Sequence, residues 1–161
     1  MEENEFKIIV DTREQQPWHF KHYATAVSKV DTGDYTVEGL EKIVTIERKK
    51  SVNEFANNIT EKRFKDWVGR LSEIEFPFIL LEFGLTDILN YPIGSNIPKR
   101  MWNKIKIRPN YIIKNLLELN LNYNINVLLC DNHRNAEHLA EQIFKRVYYI
   151  DKNRRSDNDK T

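Results

Sequence analysis

The stretch "VTIERKKSVNEF", Val44 to Phe55, begins as a strand and ends as a helix. Val44, Thr45 and Ile46 are β-branched and suit a pleated, buried surface. Ser51 is followed three residues later by Glu54, the capping-box spacing that satisfies free N–H groups at a helix start. Between the two signals stand Glu47, Arg48, Lys49 and Lys50, charges crowded onto the end of a strand that its apolar residues want buried. Side chains alternate along a strand, so Glu47 and Lys49 share one face while Ile46 and Arg48 share the other. A carboxylate and an ammonium are thereby set side by side. On a solvated edge such a pair is an ordinary salt bridge worth under about 1 kcal/mol. Asp11 and Asp34 weigh against that reading. Asp11 follows directly on the apolar run Ile8-Ile9-Val10 and Asp34 lies in the turn-like "DTGDY", strand and turn positions where functional groups gather.

Working outward from this stretch, "FKIIVDTRE" reads as a first strand whose run Ile8-Ile9-Val10 stops at Asp11. A polar loop, "EQQPWHFKHY", leads to "ATAVSKV" and "YTVEG", two short strands around Gly33 that read as a β-meander with the strand ending at Lys49. The apolar residues Phe55, Ile59, Phe64, Trp67 and Leu71 then recur at helical spacing to about Glu73, with a break near Thr60. "FPFILLEFG" is apolar on both faces, as a covered strand must be. Residues 84–108 carry loop markers at Pro92, Gly94 and Pro98. "RPNYIIKNLLELNLNY" is a helix with Pro109 near its start, "INVLLCDN" a second buried strand, and "NAEHLAEQIFKRVYYI" a closing helix with Asn135 as its cap. The expected fold class is α/β: a single domain with a mixed central sheet flanked by helices on both faces. The domain spans residues 1–150, followed by a polar, flexible tail over 151–161.

A chain of 161 residues, 40% of them hydrophobic, is large and apolar enough to fold around its own core. The net charge of +1 gives no global attraction to nucleic acid, so any such site must be a local cluster. Cys130 is the only cysteine, which excludes disulfides and thiolate zinc sites and makes it a small core residue. No apolar run reaches membrane-spanning length, and "MEENEFK" is too acidic for a secretory or mitochondrial signal. The expected compartment is reducing and aqueous: the cytoplasm, or the nucleus or viral-host compartment.

Carboxylates converging beside a lysine suit phosphodiester hydrolysis. Mg²⁺ takes one or two carboxylates and keeps its waters for substrate phosphate. The bound ion polarises the phosphoryl oxygen and lowers the pKa of a water nucleophile. A neighbouring lysine orients that water or stabilises charge developing on the phosphate. Asp34, Glu47 and Lys49 form the candidate site. The "TGD" before Tyr35 is equally compatible with a plain hairpin turn.

"VDTRE", then "GDY", then "IERKKSVNEF" resembles the nuclease domain of the XPF-type structure-specific endonucleases, whose pattern is Gly-Asp, a spacer, Glu-Arg-Lys, three residues and Asp. "FPFILLEFG" is similar to that family's "LLIE" strand, and "INVLLCDNHRNAEHLAEQI" to its last strand and helix. The resemblance implies a restriction-endonuclease-like fold and cleavage of branched or flapped DNA with Mg²⁺ or Mn²⁺. It makes Asp34 and Glu47 metal ligands, with the Arg48 backbone carbonyl completing the set and Asp11 an additional acid near the metal. Lys49 becomes the catalytic lysine, and Arg48 and Glu14 part of the surrounding polar network. Two departures stand out. Asn53 occupies the position of the family's final Asp: either Glu54 replaces it through a one-residue shift or the acid is missing, and helix-start logic favours capping for Glu54. No tandem helix-hairpin-helix signature follows residue 110, which implies a stand-alone form of the nuclease domain.

DNA contacts are expected from "KRMWNKIKIR", where Lys99, Arg100, Lys104 and Lys106 would neutralise phosphates and Trp102 would stack on a splayed base, unless it packs into the core. Arg63 lies where the resemblance puts a basic residue near the phosphate path. Glu82 either points into the same cleft as Glu47 or forms a strand-end salt bridge. His19, His22, His133 and His138 lack metal-pair spacing. The alternative function is a catalytically inactive DNA-binding or scaffolding module of the same fold, with Asn53 as its support; a salt-bridged structural protein ranks below both. Family nuclease domains pair, so a homodimer is a candidate assembly.

Overall fold

The computed structural model describes residues 5–160. The first residues of the acidic leader, 1–4, and the last residue of the tail lie outside them. Six strands form one sheet in the order β2-β1-β3-β4-β5-β6: β1 Lys7–Asp11, β2 Ala24–Ser28, β3 Tyr35–Val37, β4 Val44–Lys49, β5 Phe76–Leu81 and β6 Asn126–Leu129. β1 pairs antiparallel with β3 and β3 with β4, while β1–β2, β4–β5 and β5–β6 are parallel. The sheet is mixed, as expected.

The expected meander is corrected at its first step. β2 does not pair with β3; it runs parallel to β1 on the outer edge. Ile8, Ile9 and Val10 are buried and fit an interior strand. "ATAVS" has little to bury, and its Val27 is 72% exposed, so it takes the edge. At the other edge β6 is half-buried rather than covered on both faces, with Leu129 exposed.

Helices cover both faces unequally. On one face α1 (Val52–Asn58), α2 (Phe64–Ser72), α3 (Leu85–Leu89) and α4 (Pro109–Tyr123) pack over Ile79 and Leu81. On the other, α5 (His133–Asn158) lies alone over Val10, Ile46 and Leu80. Ser51 caps α1, its Oγ accepting from Glu54 N at 3.1 Å, and the break near Thr60 separates α1 from α2 as expected. Pro109 is at the first turn of α4, and Asn124 closes that helix with a left-handed φ of 55°. Residues 84–108, unreadable in sequence, hold α3 and a 3₁₀ turn, Lys99–Lys104. Two boundaries of α5 shift. Its cap is Asn132, whose side chain accepts from Asn135 N at 2.9 Å, not Asn135 itself. The helix also continues to Asn158 through most of the expected tail, where Arg154 meets Glu75 at 2.5 Å.

Gly33 sets the approach of β3 to β4. Its φ is +89°, and a Cβ there would lie 2.1 Å from Thr45 Oγ1. That hydroxyl is committed, donating to Thr32 O at 2.6 Å. The turn delivers the next residue, Asp34, against β4: Asp34 N donates to Ile46 O at 2.9 Å. Gly33→Ala should therefore destabilise the protein by about 1–3 kcal/mol, from strained backbone and a displaced Thr45. Urea unfolding against wild type measures this.

Candidate active site

The carboxyl end of β4 does two different things on its two faces. Lys49 Nζ stands 3.2 Å from Glu47 Oε1 on the α1–α2 face, with both side chains largely buried. The strand alternation read from the sequence holds. Asp34 arrives from the turn before β3, and its Oδ2 accepts from Arg48 N at 2.7 Å, taking the place of a ladder bond. Asp34, Glu47 and Lys49 line one cleft of about 370 Å³, with Arg13, Arg63 and Arg70 around them and Trp67 beside Lys49.

The electrostatics are those of a carboxylate pair held out of water. Desolvation and the neighbouring Glu47 charge push Asp34 well above its ordinary value of 3.8, against the pull of the Arg48 N–H. Desolvation likewise raises Glu47 above 4.5, with Lys49 opposing and Glu54 and Glu14 adding repulsion. Two buried acids that repel one another are chemically suited to a cation. Among the described residues no group of three or more His, Cys, Asp or Glu is arranged to hold a metal. Two carboxylates are nonetheless what Mg²⁺ takes. Arg48 presents its N–H to β3's side of the strand, and strand geometry sends its carbonyl to that side as well. Asn58, also in the cleft wall, has an Oδ1 that is buried with no hydrogen-bond partner. An all-oxygen donor set of this kind fits a hard divalent ion.

Asp11 lies beside Asp34, its N–H donating to Asp34 O at 2.9 Å, and its carboxylate is engaged by the scaffold. Its Oδ1 accepts from Val30 N at 2.9 Å and its Oδ2 from Arg13 Nε at 2.6 Å, leaving it off the cleft wall. Burial alone would raise its pKa, but the Val30 N–H and the Arg13 guanidinium outweigh burial and hold it below 3.8. Asp11 instead fixes Arg13, and the charge of Arg13 senses Asp34 and Glu47.

On the opposite face Arg48 is buried against α5. Its Nε donates to Glu82 Oε1, its Nη1 to Gln16 O at 2.6 Å and Glu14 Oε2 at 3.2 Å, and its Nη2 to His133 Nδ1 at 2.8 Å. A guanidinium only donates, so in this contact His133 Nδ1 is the acceptor, and His133 Nε2 lies 3.5 Å from Glu137 Oε2. The guanidinium also lies 5.0 Å from the Trp18 ring centroid, and Trp18 stacks on Tyr35. Glu82 therefore makes the strand-end salt bridge rather than entering the cleft.

The remaining expected residues scatter. Arg63 reaches the cleft rim, where its Nε meets Glu61 at 2.7 Å. Lys99, Arg100, Lys104 and Lys106 are exposed but do not line the cleft. Trp102 is half-buried, its Nε1 donating to Ile97 O at 3.0 Å, so its indole is tied to the protein. Glu54 stays at the helix start but accepts from Lys50 N at 2.7 Å, one residue before the Ser51 N–H that a capping box would use, and Asn53 Oδ1 accepts from Tyr91 O–H at 3.3 Å. His19, His22 and His138 lie along a separate groove of about 1080 Å³ beside α5. Missed in the sequence were Arg13, Asn58 and Trp67. The Asp-x-Arg spacing of Asp11 and Arg13 offered a signal for the first; nothing local marked the other two.

Comparison with known proteins identifies the family and the fold. The ERCC4 domain family model matches residues 10–143. The chain is 36% identical over 88 residues to the 3'-flap repair endonuclease Xpf of Saccharolobus solfataricus, an alignment covering 51% of this chain and 36% of that protein. Two solved structures of XPF from Aeropyrum pernix share the fold at 19% identity. One has a TM-score of 0.63 and covers 86% of this chain and 60% of its own; the other, a complex with DNA, has a TM-score of 0.61 and covers 92% and 66%. The chain thus spans about a third of the length of the curated relative it matches. The restriction-endonuclease-like fold expected from the sequence is the fold observed.

Two outcomes follow from the geometry. Asp34 and Glu47 have pKa values raised by folding, so the contribution of these two groups to stability is fully present below their ordinary values of 3.8 and 4.5 and is lost as pH rises through the folded values. In chelator at neutral pH, Asp34→Asn should therefore melt above wild type, with the gap closing as pH falls toward those values; a wild-type protein that melts higher at neutral pH would contradict this. Arg48→Ala strands Glu82, whose side chain is 6% exposed, and should cost about 3–5 kcal/mol by denaturant titration.

Proposed function

The chain belongs to the ERCC4 domain family, and from that membership we propose that it is a metal-dependent endonuclease that hydrolyses phosphodiester bonds in branched or flapped DNA. The observation that carries the reading is Asp34, Glu47 and Lys49 in one arginine-rimmed cleft, with Glu47 and Lys49 3.2 Å apart. Residues 1–150 constitute the nuclease domain in this reading.

Asp34 and Glu47, with the Arg48 carbonyl, would hold Mg²⁺ or Mn²⁺; the ion, when bound, supplies Lewis-acid polarisation of the phosphate and a more acidic water. The chain's own residues do the rest. Lys49 presents a fixed ammonium beside Glu47, placed to orient the attacking water and to counter charge gathering on the phosphate. Arg13, Arg63 and Arg70 put positive charge around the cleft mouth, where a negatively charged strand must enter. Arg13 is kept there by Asp11. Lys99, Arg100, Lys104, Lys106 and Trp102 lie apart from the cleft wall and would serve, if at all in catalysis, by holding a DNA arm at a distance from the cut.

Pairing with a second copy is part of this reading. It is supported by an exposed apolar flank on α4, where Leu117 is 55% and Leu121 76% exposed. Among the described residues no helix is long and apolar enough to cross a membrane. The reading places the chain with DNA, in the cytoplasm, nucleus or viral-host compartment.

A cleavage assay over flaps, forks, four-way junctions, duplex and single strands tests the proposal. Cutting of branched substrates should require Mg²⁺ or Mn²⁺ and stop with chelator. Asp34→Ala, Glu47→Ala and Lys49→Ala should each lower the rate by at least about 10²-fold with DNA affinity retained. Wild-type rates in the Asp34→Ala and Glu47→Ala proteins would refute the assignment. Binding of branched DNA without cutting under any metal would favour the inactive scaffolding module.

A further inference from the structure

Trp67 was read from the sequence as one member of the apolar stripe of α2. The structure puts it in the cleft wall, with Lys49 Nζ 5.0 Å from the centroid of its ring. Lysine is a flexible four-carbon stem carrying a point charge, and fixing it in one rotamer needs a partner on more than one side. Glu47 supplies one side, at 3.2 Å. The indole supplies another: a cation over the ring face is attracted to it, more strongly when water is excluded. Lys49 is 9% exposed at its side chain, so the contact is largely shielded from solvent.

The indole is itself braced. Phe64 lies 5.6 Å from Trp67 between centroids, tilted by 36°, and meets Phe55 edge-on at 6.5 Å. Phe55 is fully buried. A row of aromatic rings therefore runs from the core of the α1–α2 face to the ammonium. A stacking platform for a DNA base is the rival use of a tryptophan in such a cleft. Lys49 and Phe64 already occupy π surface that a base would need, which favours the internal role.

We infer that Trp67 is a positioning residue, whose indole holds the Lys49 ammonium beside Glu47 and aimed into the cleft for hydrolysis. The inference rests on the nuclease reading of this site, and its experiment has an arm that does not. Carbon–proton NMR of the lysine ε-methylenes in metal-free protein reads the contact directly, because protons over an indole face are shifted upfield. One such resonance should stand upfield of the other lysines, vanish in Lys49→Arg, return to the common range in Trp67→Leu, and stay partly shifted in Trp67→Phe. In single-turnover cleavage, Trp67→Leu should slow cutting by roughly tenfold with DNA affinity unchanged, and Trp67→Phe should recover most of the rate. Trp67→Phe keeps the aromatic row and guards against loss of fold in the leucine variant. An unshifted Lys49 resonance in wild type, or wild-type cleavage by folded Trp67→Leu, overturns the inference. Absence of cleavage by wild-type protein overturns the nuclease reading instead, while the resonance decides the clamp by itself.

Discussion

Arg48 is a full charge taken out of water, and the rest of the site depends on how that charge is compensated. Burying an unpaired guanidinium costs several kcal/mol, so the fold holds together only with its acceptors in place. Those acceptors come from distant parts of the chain: Glu14 and Gln16 O from the segment after β1, Glu82 from the end of β5, and His133 from the first turn of α5. Trp18 closes the remaining side. Each bond fixes one more element relative to the end of β4. Residues 47, 48 and 49 alternate across the sheet, so clamping the Arg48 side chain on one face sets the direction of Glu47 and Lys49 on the other. The structural charge and the chemical charges are thus separated by a strand's thickness, and the buried network serves as the rigid mount for the cleft.

The cleft side has the opposite energetics. Arg48 gains partners on folding; Asp34 and Glu47 lose water and gain each other's repulsion. A fold selected for stability alone would not bring these two carboxylates together. Proteins break such local rules at functional sites and offset the cost elsewhere. Asp11 shows the contrast: an acid two residues from the same arginine that rims the cleft, yet fully satisfied by Val30 N–H and Arg13 and shifted the other way. Asp11 is bonded within the scaffold, whereas Asp34 and Glu47 line the cleft, with the Lys49 ammonium beside Glu47. Arg13 spans the two, bonded to the first kind and attracted by the second.

Strand alternation was enough to pair Glu47 with Lys49 and to send Arg48 to the other face, because period-two geometry is a property of any strand. The Gly-Asp before Tyr35 stood out through its turn chemistry and the family resemblance; the positive φ and the close approach to Thr45, which only a residue without a Cβ fits at Gly33, are visible in the structure alone. The β-branched run of β4 and the Ser51 cap of α1 followed from the same short-range rules, while the cap of α5 fell at Asn132 instead of Asn135. Connectivity was not available at that range. Sequence order made β2 look like the neighbour of β3, whereas the sheet inserts β1 between them, since burial decides which strand takes the interior. The bonds of Asp11 were not legible in its strand-end position, because Val30 N–H meets its carboxylate only through the three-dimensional fold. Trp67 and Asn58 were hidden by the same limit. An aromatic at helical spacing is normally core, and no pattern along the chain says that a ring will meet a lysine from a different element.

Asn53 is where the chain departs from the family pattern, and the geometry bears on how much that matters. Its side chain is turned away, bonded by Tyr91 O–H near the end of α3, and contributes nothing to the cleft. Glu54 has not moved in to replace it: its carboxylate accepts from Lys50 N while its own N–H is held by Ser51. Yet its charge still reaches Glu47 and adds to the forces raising that acid's pKa. A third carboxylate placed directly in the cleft would have deepened this repulsion without giving Mg²⁺ a ligand it requires, since one or two carboxylates suffice and phosphate supplies the remainder. An acid at the helix start that accepts from Lys50 N and acts on the pair only through its field keeps part of the negative potential that draws a cation, and spares the fold another buried charge. Under the proposed nuclease reading, the asparagine would lower the affinity for metal in the absence of substrate more than it would lower catalysis once the phosphate is bound.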